Sequence, residues 1–165
     1  MRSLEATAPD PARFAPFGAL IEQPREVGDR RVFSQWLAPV DGLAQKVHLN
    51  KVAPTALPSV LTRLERHPHA AQMFLPVDVE RYLVTAMPSA ADGAPDPAGA
   101  VCMLLPGSTG VVYRPGVWHA SMTVLDRTAS FAVLMWRGAP DDDVFADIAP
   151  LSLGLADLVR RGTGT

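Results

Sequence analysis

Apolar residues along this chain come in short runs, and most of these runs alternate with polar positions or end at proline or glycine. From Gln45 to Val52 the alternation is clear, with Val47 and Leu49 on one side and His48, Asn50 and Val52 on the other, the period-2 signature of a strand. Strand-like runs follow at Met73–Val77, Tyr82–Met87, Val101–Leu105, Val111–Arg114, Trp118–Leu125 and Phe131–Arg137, and Val32–Leu37 reads as another. Leu57–His67 has a helical period instead: Pro58 stands in the first turn, and Leu57, Leu61 and Leu64 fall on one stripe, which predicts a short helix. Around Pro11–Ile21 the pattern predicts a short helix or coil carrying Phe14 and Phe17, and Leu151–Arg160 predicts a last short helix before a frayed GTGT end. The small, Pro- and Gly-rich stretch between Met87 and Ala100 reads as a surface loop.

Sixteen prolines lie between the apolar runs rather than in one linker, and each fixes φ and removes an amide donor, so the chain is cut into short elements. Many short strands with few helices predict an all-β barrel or sandwich, one domain over residues 1–165. With 48% apolar and 19% charged residues the composition is that of a globular domain. The net charge of −2 spreads fifteen basic residues among seventeen acids, which argues against a nucleic-acid partner. The single cysteine, Cys102, lies in an apolar run and reads as a buried thiol rather than a nucleophile. No apolar stretch is long enough for a membrane helix and the N-terminus lacks an apolar signal region, so a cytoplasmic location without membrane contact is expected.

Candidate chemistry gathers in three places. In ERHPHAAQMFLP, residues 65–76, His67 and His69 would share a face on an extended chain and could hold a divalent metal, with Gln72 as a weak extra ligand. In GVVYRPGVWHAS, residues 110–121, Pro115-Gly116 fits a type II turn that would aim Arg114, Trp118 and His119 into a cavity beside Tyr113. His48, Asn50 and Lys51 form the third group, where Lys51 would share the opposite face with Leu49. Arg114 or Lys51 could bind a carboxylate, Arg114 in bidentate fashion. Asp141-Asp142-Asp143, following Gly138-Ala139-Pro140, read as a loop or the first turn of a helix. No phosphate-binding loop, dinucleotide fingerprint, nucleophile elbow, CxxC or HExxH occurs.

These same segments resemble the ureidoglycolate lyase family. Residues 48–77, HLNKVAPTALPSVLTRLERHPHAAQMFLPV, follow that family's pattern at Asn50, Pro54, Leu57-Pro58, Leu64-Glu65-Arg66-His67-Pro68, Gln72, Phe74 and Pro76. Gly110-Val111, Tyr113 and Gly116-Val117-Trp118-His119 are similar to its second signature, and Phe14-Ala15-Pro16-Phe17-Gly18 to its N-terminal one. The resemblance implies a cupin-like β-barrel, a homodimer, and cleavage of ureidoglycolate to glyoxylate and urea in allantoin catabolism, with nickel as a cofactor of some members.

In that frame His119 is the candidate acid or base, and Lys51 or Arg114 the cation that holds the substrate carboxylate. Tyr113, Trp118, Gln72, His48 and Asn50 would line the substrate, with His67 and His69 as metal ligands. The chain departs from the family pattern at Arg114 and Ala120, where the family has histidines, at Lys51, where it tends to arginine, and at Val32-Phe33-Ser34-Gln35. Those departures leave two alternatives open: a cupin-like protein that binds a small carboxylate without catalysis, and a metal-dependent cupin enzyme of other specificity.

Overall fold

A computed structural model describes residues 1–157. Twelve strands run in chain order as β1 (Arg2–Ala6), β2 (Gly18–Glu22), β3 (Ala44–Val52), β4 (Ser59–Arg66), β5 (Gln72–Pro76), β6 (Arg81–Met87), β7 (Val101–Pro106), β8 (Thr109–Tyr113), β9 (Trp118–His119), β10 (Thr123–Val124), β11 (Ala129–Arg137) and β12 (Val144–Leu155). One short helix with described bounds, α1 (Pro11–Phe14), and two 3₁₀ turns complete them among the described residues. Asp10 caps α1 by accepting from the amides of Ala12 and Arg13, with Pro11 in its first turn.

The strands form two sheets. One has the order β1-β12-β4-β9-β6-β10, with β7 also on β6, and it curls until Thr7, just beyond β1, bridges to Met103 of β7. The other has the order β2-β8-β5-β11-β3 and lies against it. Between the sheets Phe74, Tyr82, Tyr113 and Phe131 meet edge to face, with Tyr82 and Phe131 centred 5.0 Å apart. A second cluster, including Leu64, Met87, Cys102, Trp118 and Leu153, fills the curl of the first sheet. A third lies outside the second sheet, where Phe33, Trp36 and Leu37 cover Ile21, Met73 and Val112. The expected all-β class, with curled sheets and a few short helices, is the class found.

Five expected elements differ: Trp118–Leu125 is two short strands, β9 and β10, rather than one, Gly18–Ile21 belongs to β2 rather than to the helix or coil expected over Pro11–Ile21, and three others change more. Leu57–His67 is not a helix: residues 59–66 are β4, paired with β12 and β9. The pairing with β12 shifts register between Asp147 and Leu151, around Pro150, and the bend lets Leu61 and Leu64 reach the same cluster. Two leucines three apart on one side imitate a helical stripe. Val32–Leu37 is a 3₁₀ turn over Ser34–Leu37 rather than a strand, because Phe33, Trp36 and Leu37 all dip toward one sheet face. Leu151–Leu155, expected to begin a helix, ends β12, paired to β1 in parallel and in part to β4. The rest of that expected helix, from residue 158, lies outside the described residues.

Candidate metal and substrate site

The site forms where one end of the sandwich brings the two sheets together. From the first sheet come Glu65 near the end of β4, His67 just after it, and His119 in β9, whose Cα pairs with that of Glu65. From the second come Tyr113, Gln72 and Met135, which lie opposite one another across β8, β5 and β11. Cross-strand partners share a face, so these three point together into the interior.

Between β8 and β9 the chain reverses at Arg114–Val117, where the Val117 amide donates to the Arg114 carbonyl (3.3 Å) and Gly116 has φ +77°. This is the tight Pro-Gly turn the sequence predicts. The Gly116 amide donates to the His67 carbonyl (2.8 Å), which ties the turn to the segment after β4 and holds the two histidines near each other. Their ring centres are 5.3 Å apart.

One ligand atom from each of Glu65, His67 and His119 lies within 4.8 Å of the other two. Local oxygens decide which imidazole nitrogens are free. His67 Nδ1 is 2.9 Å from the Asp142 carbonyl and 3.0 Å from Asp143 Oδ1; both are acceptors, so the hydrogen sits on Nδ1. Its Nε2, left with a lone pair, is buried and has no hydrogen-bond partner among the described residues. His119 Nδ1 donates to the Val117 carbonyl at 3.0 Å, which likewise leaves the lone pair on Nε2. That Nε2 is 3.6 Å from Glu65 Oε1 and 3.1 Å from Gln72 Oε1. Two electron-rich atoms thus face each other, an arrangement relieved by a cation or proton nearby or by the amide turned over.

The charge states agree with this picture. Burial pushes the His119 imidazole down to about 3, so it is neutral near pH 7. Burial also raises the Glu65 carboxyl above its ordinary value, against the opposing pull of His67. Two imidazoles, each oriented by an oxygen on one ring nitrogen, and a carboxylate form a donor set that fits a divalent cation. Tyr113 stacks on His119 with ring centres 4.1 Å apart, and its hydroxyl is buried without a partner among the described residues.

His119, Gln72, Tyr113 and His67 are therefore brought together, whereas other residues singled out from the sequence stand elsewhere. His69 does not join His67, because the chain turns at Pro68; its Nε2 meets Asp141 Oδ1 at 2.7 Å on the surface. Arg114 is exposed: its guanidinium donates to the Ala15 carbonyl and lies over the Trp36 ring, so it does not converge with the buried His119. Trp118 points away from the site into the core within the curled sheet, and its indole N–H donates to the Gly93 carbonyl (3.0 Å). Lys51 pairs with Ser130 on the outer face of β3, while His48 and Asn50 pair with Val133 and Phe131 on the inner face, at the exposed edge. Cys102 is a buried thiol pushed up to about 11, as its apolar run implies.

Glu65 and Asp143 were missed as functional residues. Glu65 was hidden by the helical reading of its segment, and Asp143 by that of an acidic loop. The visible clue was a carboxylate two residues before His67, a spacing that places both on one face of a strand.

The sequence matches the family described as Ureidoglycolate lyase over residues 1–149. The chain belongs to the ureidoglycolate lyase family. It is 35% identical to the ureidoglycolate lyase of Burkholderia cepacia over 154 residues, covering 87% of this chain and 83% of that protein. With the ureidoglycolate lyase of Burkholderia mallei (strain NCTC 10229) it shares 32% identity over 167 residues, covering 95% of each. Among solved structures, a dTDP sugar isomerase from Desulfovibrio desulfuricans G20 aligns with a TM-score of 0.49 at 16% identity, covering 79% of this chain and 82% of that one. No helix among the described residues is long and apolar enough to cross a membrane.

Proposed function

We propose that this member of the ureidoglycolate lyase family cleaves ureidoglycolate to glyoxylate and urea at the site formed by Glu65, His67 and His119. The observation that carries the reading is the clustering of those three donor atoms within 4.8 Å, at the junction of the two sheets. Their donor set fits a divalent cation, which Glu65, His67 and His119 would hold and which, when bound, would polarise the substrate hydroxyl as a Lewis acid.

The remaining chemistry belongs to the chain. Ureidoglycolate is a hemiaminal that carries a carboxylate. Its hydroxyl proton must leave, the carbon–oxygen double bond forms, the carbon–nitrogen bond breaks, and the departing urea nitrogen takes up a proton. Only one oxygen of Glu65 belongs to the donor set, so its other carboxylate oxygen accepts the hydroxyl proton and returns it to the urea nitrogen. His119 is held neutral by burial and keeps its Nε2 lone pair directed at the site instead of a proton. Gln72 and the stacked Tyr113 shape the wall against which the ureido group packs, and Asp143 keeps His67 in its tautomer.

Purified protein supplied with ureidoglycolate is expected to release glyoxylate and urea in equal amounts. Glu65→Gln should lose about 100-fold or more of the rate with the fold intact by circular dichroism, within the range known for acid–base groups. Absence of glyoxylate from the wild-type protein, loaded with nickel or another divalent metal, would refute the proposal. To the same reading belong a single domain, a cytoplasmic homodimer, nickel as the cation and a place in allantoin catabolism. Light scattering and metal analysis of protein isolated from its own cells test the assembly and the metal.

A further inference from the structure

The reaction needs a cation for the substrate carboxylate, and the two arginine or lysine side chains singled out from the sequence, Arg114 and Lys51, face away from the site. Arg137 does face it, but both ends of its guanidinium are engaged by Asp143, and Asp142 lies 3.9 Å from its Nε. Its charge balances the acidic loop that holds His67.

Register points to another residue. Tyr113 pairs with Gln72, Gln72 with Met135, and Met135 with Lys46 of β3, so these four form one row across the inner face of the second sheet. Adjacent strands are about 4.8 Å apart, which puts the Lys46 backbone about 10 Å from that of Gln72, and its four-carbon stem shortens the gap. Lys46 forms no ion pair among the described residues. His48, two positions along, lies on the same face. An open hollow of about 720 Å³ beside the site is lined by Lys46, His48 and Arg137, with Ala44, Val47 and Gly138, and it meets the triad through Arg137, whose partner Asp143 contacts His67. Around the triad itself the charged neighbours are acidic, Glu65, Asp142 and Asp143, apart from the engaged Arg137. Among the described residues the unengaged lysine on this inner face is therefore on β3, the edge strand of the sheet.

We propose that Lys46, with His48 beside it, is the carboxylate-binding end of the site and orients an α-ureido acid with its ureido group toward Glu65 and His119. The inference rests on the lyase reading for its substrate class but names a residue outside the metal-binding set.

Lys46→Met and Lys51→Met, on opposite faces of one strand, separate it from a general effect of surface charge. The probe is hydantoate, a ureido acid that lacks the hydroxyl and cannot be cleaved, titrated calorimetrically into metal-loaded protein, alongside steady-state kinetics with ureidoglycolate. Removing a hydrogen bond to a charged group weakens binding about ten- to hundredfold. Lys46→Met should therefore raise both the hydantoate Kd and the KM by that factor while kcat changes far less, Lys46→Arg should recover most of the loss, and Lys51→Met should match the wild type. An active enzyme whose KM and hydantoate affinity are unchanged in a folded Lys46→Met variant overturns the inference and leaves the lyase reading standing. Wild-type protein that binds hydantoate through Lys46 but cleaves no ureidoglycolate overturns the lyase reading alone. A wild-type protein that binds no hydantoate overturns the inference, and turnover then decides the lyase reading separately.

Discussion

Each imidazole of the site has its hydrogen placed by an oxygen outside the triad: the Val117 carbonyl for His119, and the Asp142 carbonyl with the Asp143 carboxylate for His67. Hydrogen bonding to Arg137 holds the Asp143 carboxyl below its ordinary value, so it stays an acceptor at neutral pH. Its role toward the site is positional. Asp143→Asn removes the charge and can present N–H instead of oxygen to His67 Nδ1, which frees the ring to turn. We expect divalent-metal affinity to fall by about 10–100-fold, the usual cost of losing such an outer partner, and the melting temperature of the metal-free protein to drop as well, because Arg137 loses its paired carboxylate. Titration with nickel or zinc reads this directly, and an unaltered affinity would show that the backbone carbonyl of Asp142 suffices.

Among the elements, β8 does the most to place site residues: its end carries Tyr113, its partner β5 carries Gln72, and the turn after it carries the Val117 carbonyl. The fit of β2 on β8 depends on Gly18, opposite Tyr113. A Cβ there would lie 1.8 Å from the Val112 carbonyl oxygen, and because the obstacle is backbone, one strand must move. Gly18→Ala is expected to destabilise the protein by about 1–3 kcal/mol, as overpacking does, and to displace Tyr113 from His119. Thermal melting measures the first effect, and a melting temperature equal to that of the wild type would mean that β2 can shift without cost. Element readings from the sequence succeed for β3, β5, β6, β7, β8 and β11, where alternation or an apolar run bounded by turns has one meaning. They fail at β4, where a register shift in a partner far along the chain brings leucines three apart to one side.

For the whole molecule, burying an imidazole between two sheets makes stability depend on pH. His119 binds a proton near pH 6.5 when the chain is unfolded but only near 3 when folded, so between those values the unfolded state holds more protons. The stability contributed is fully present above 6.5 and is lost as pH falls toward 3. Asp126 and Asp143, whose carboxyls are lowered by Arg81 and Arg137, act in the same sense below their ordinary range. Glu65 has the opposite sign: its raised value stabilises the fold at low pH and that contribution fades as pH rises through it. Metal-free protein should melt at progressively lower temperature from pH 7 to pH 4, and His119→Gln should flatten this slope. An equal slope in both proteins would assign the acid sensitivity to other groups.

The order of apolar and polar residues by itself determined the all-β class, the positions of six of the twelve strands, the Pro-Gly turn and the inert thiol, because alternation, φ restriction and burial preference act within a few residues. The family resemblance likewise lies in local motifs such as Leu64–Pro68 and Gly116–His119. Tertiary structure alone decided that His67 and not His69 meets His119, that Glu65 joins them, and that the inward lysine of β3 is Lys46 and not Lys51. Those outcomes depend on which face of each strand is covered and on the register between strands distant in sequence, and a shift of one residue reverses every side chain. Strand alternation tells which residues point together; only the pairing of β11 with both β3 and β5 tells which of those directions is inside.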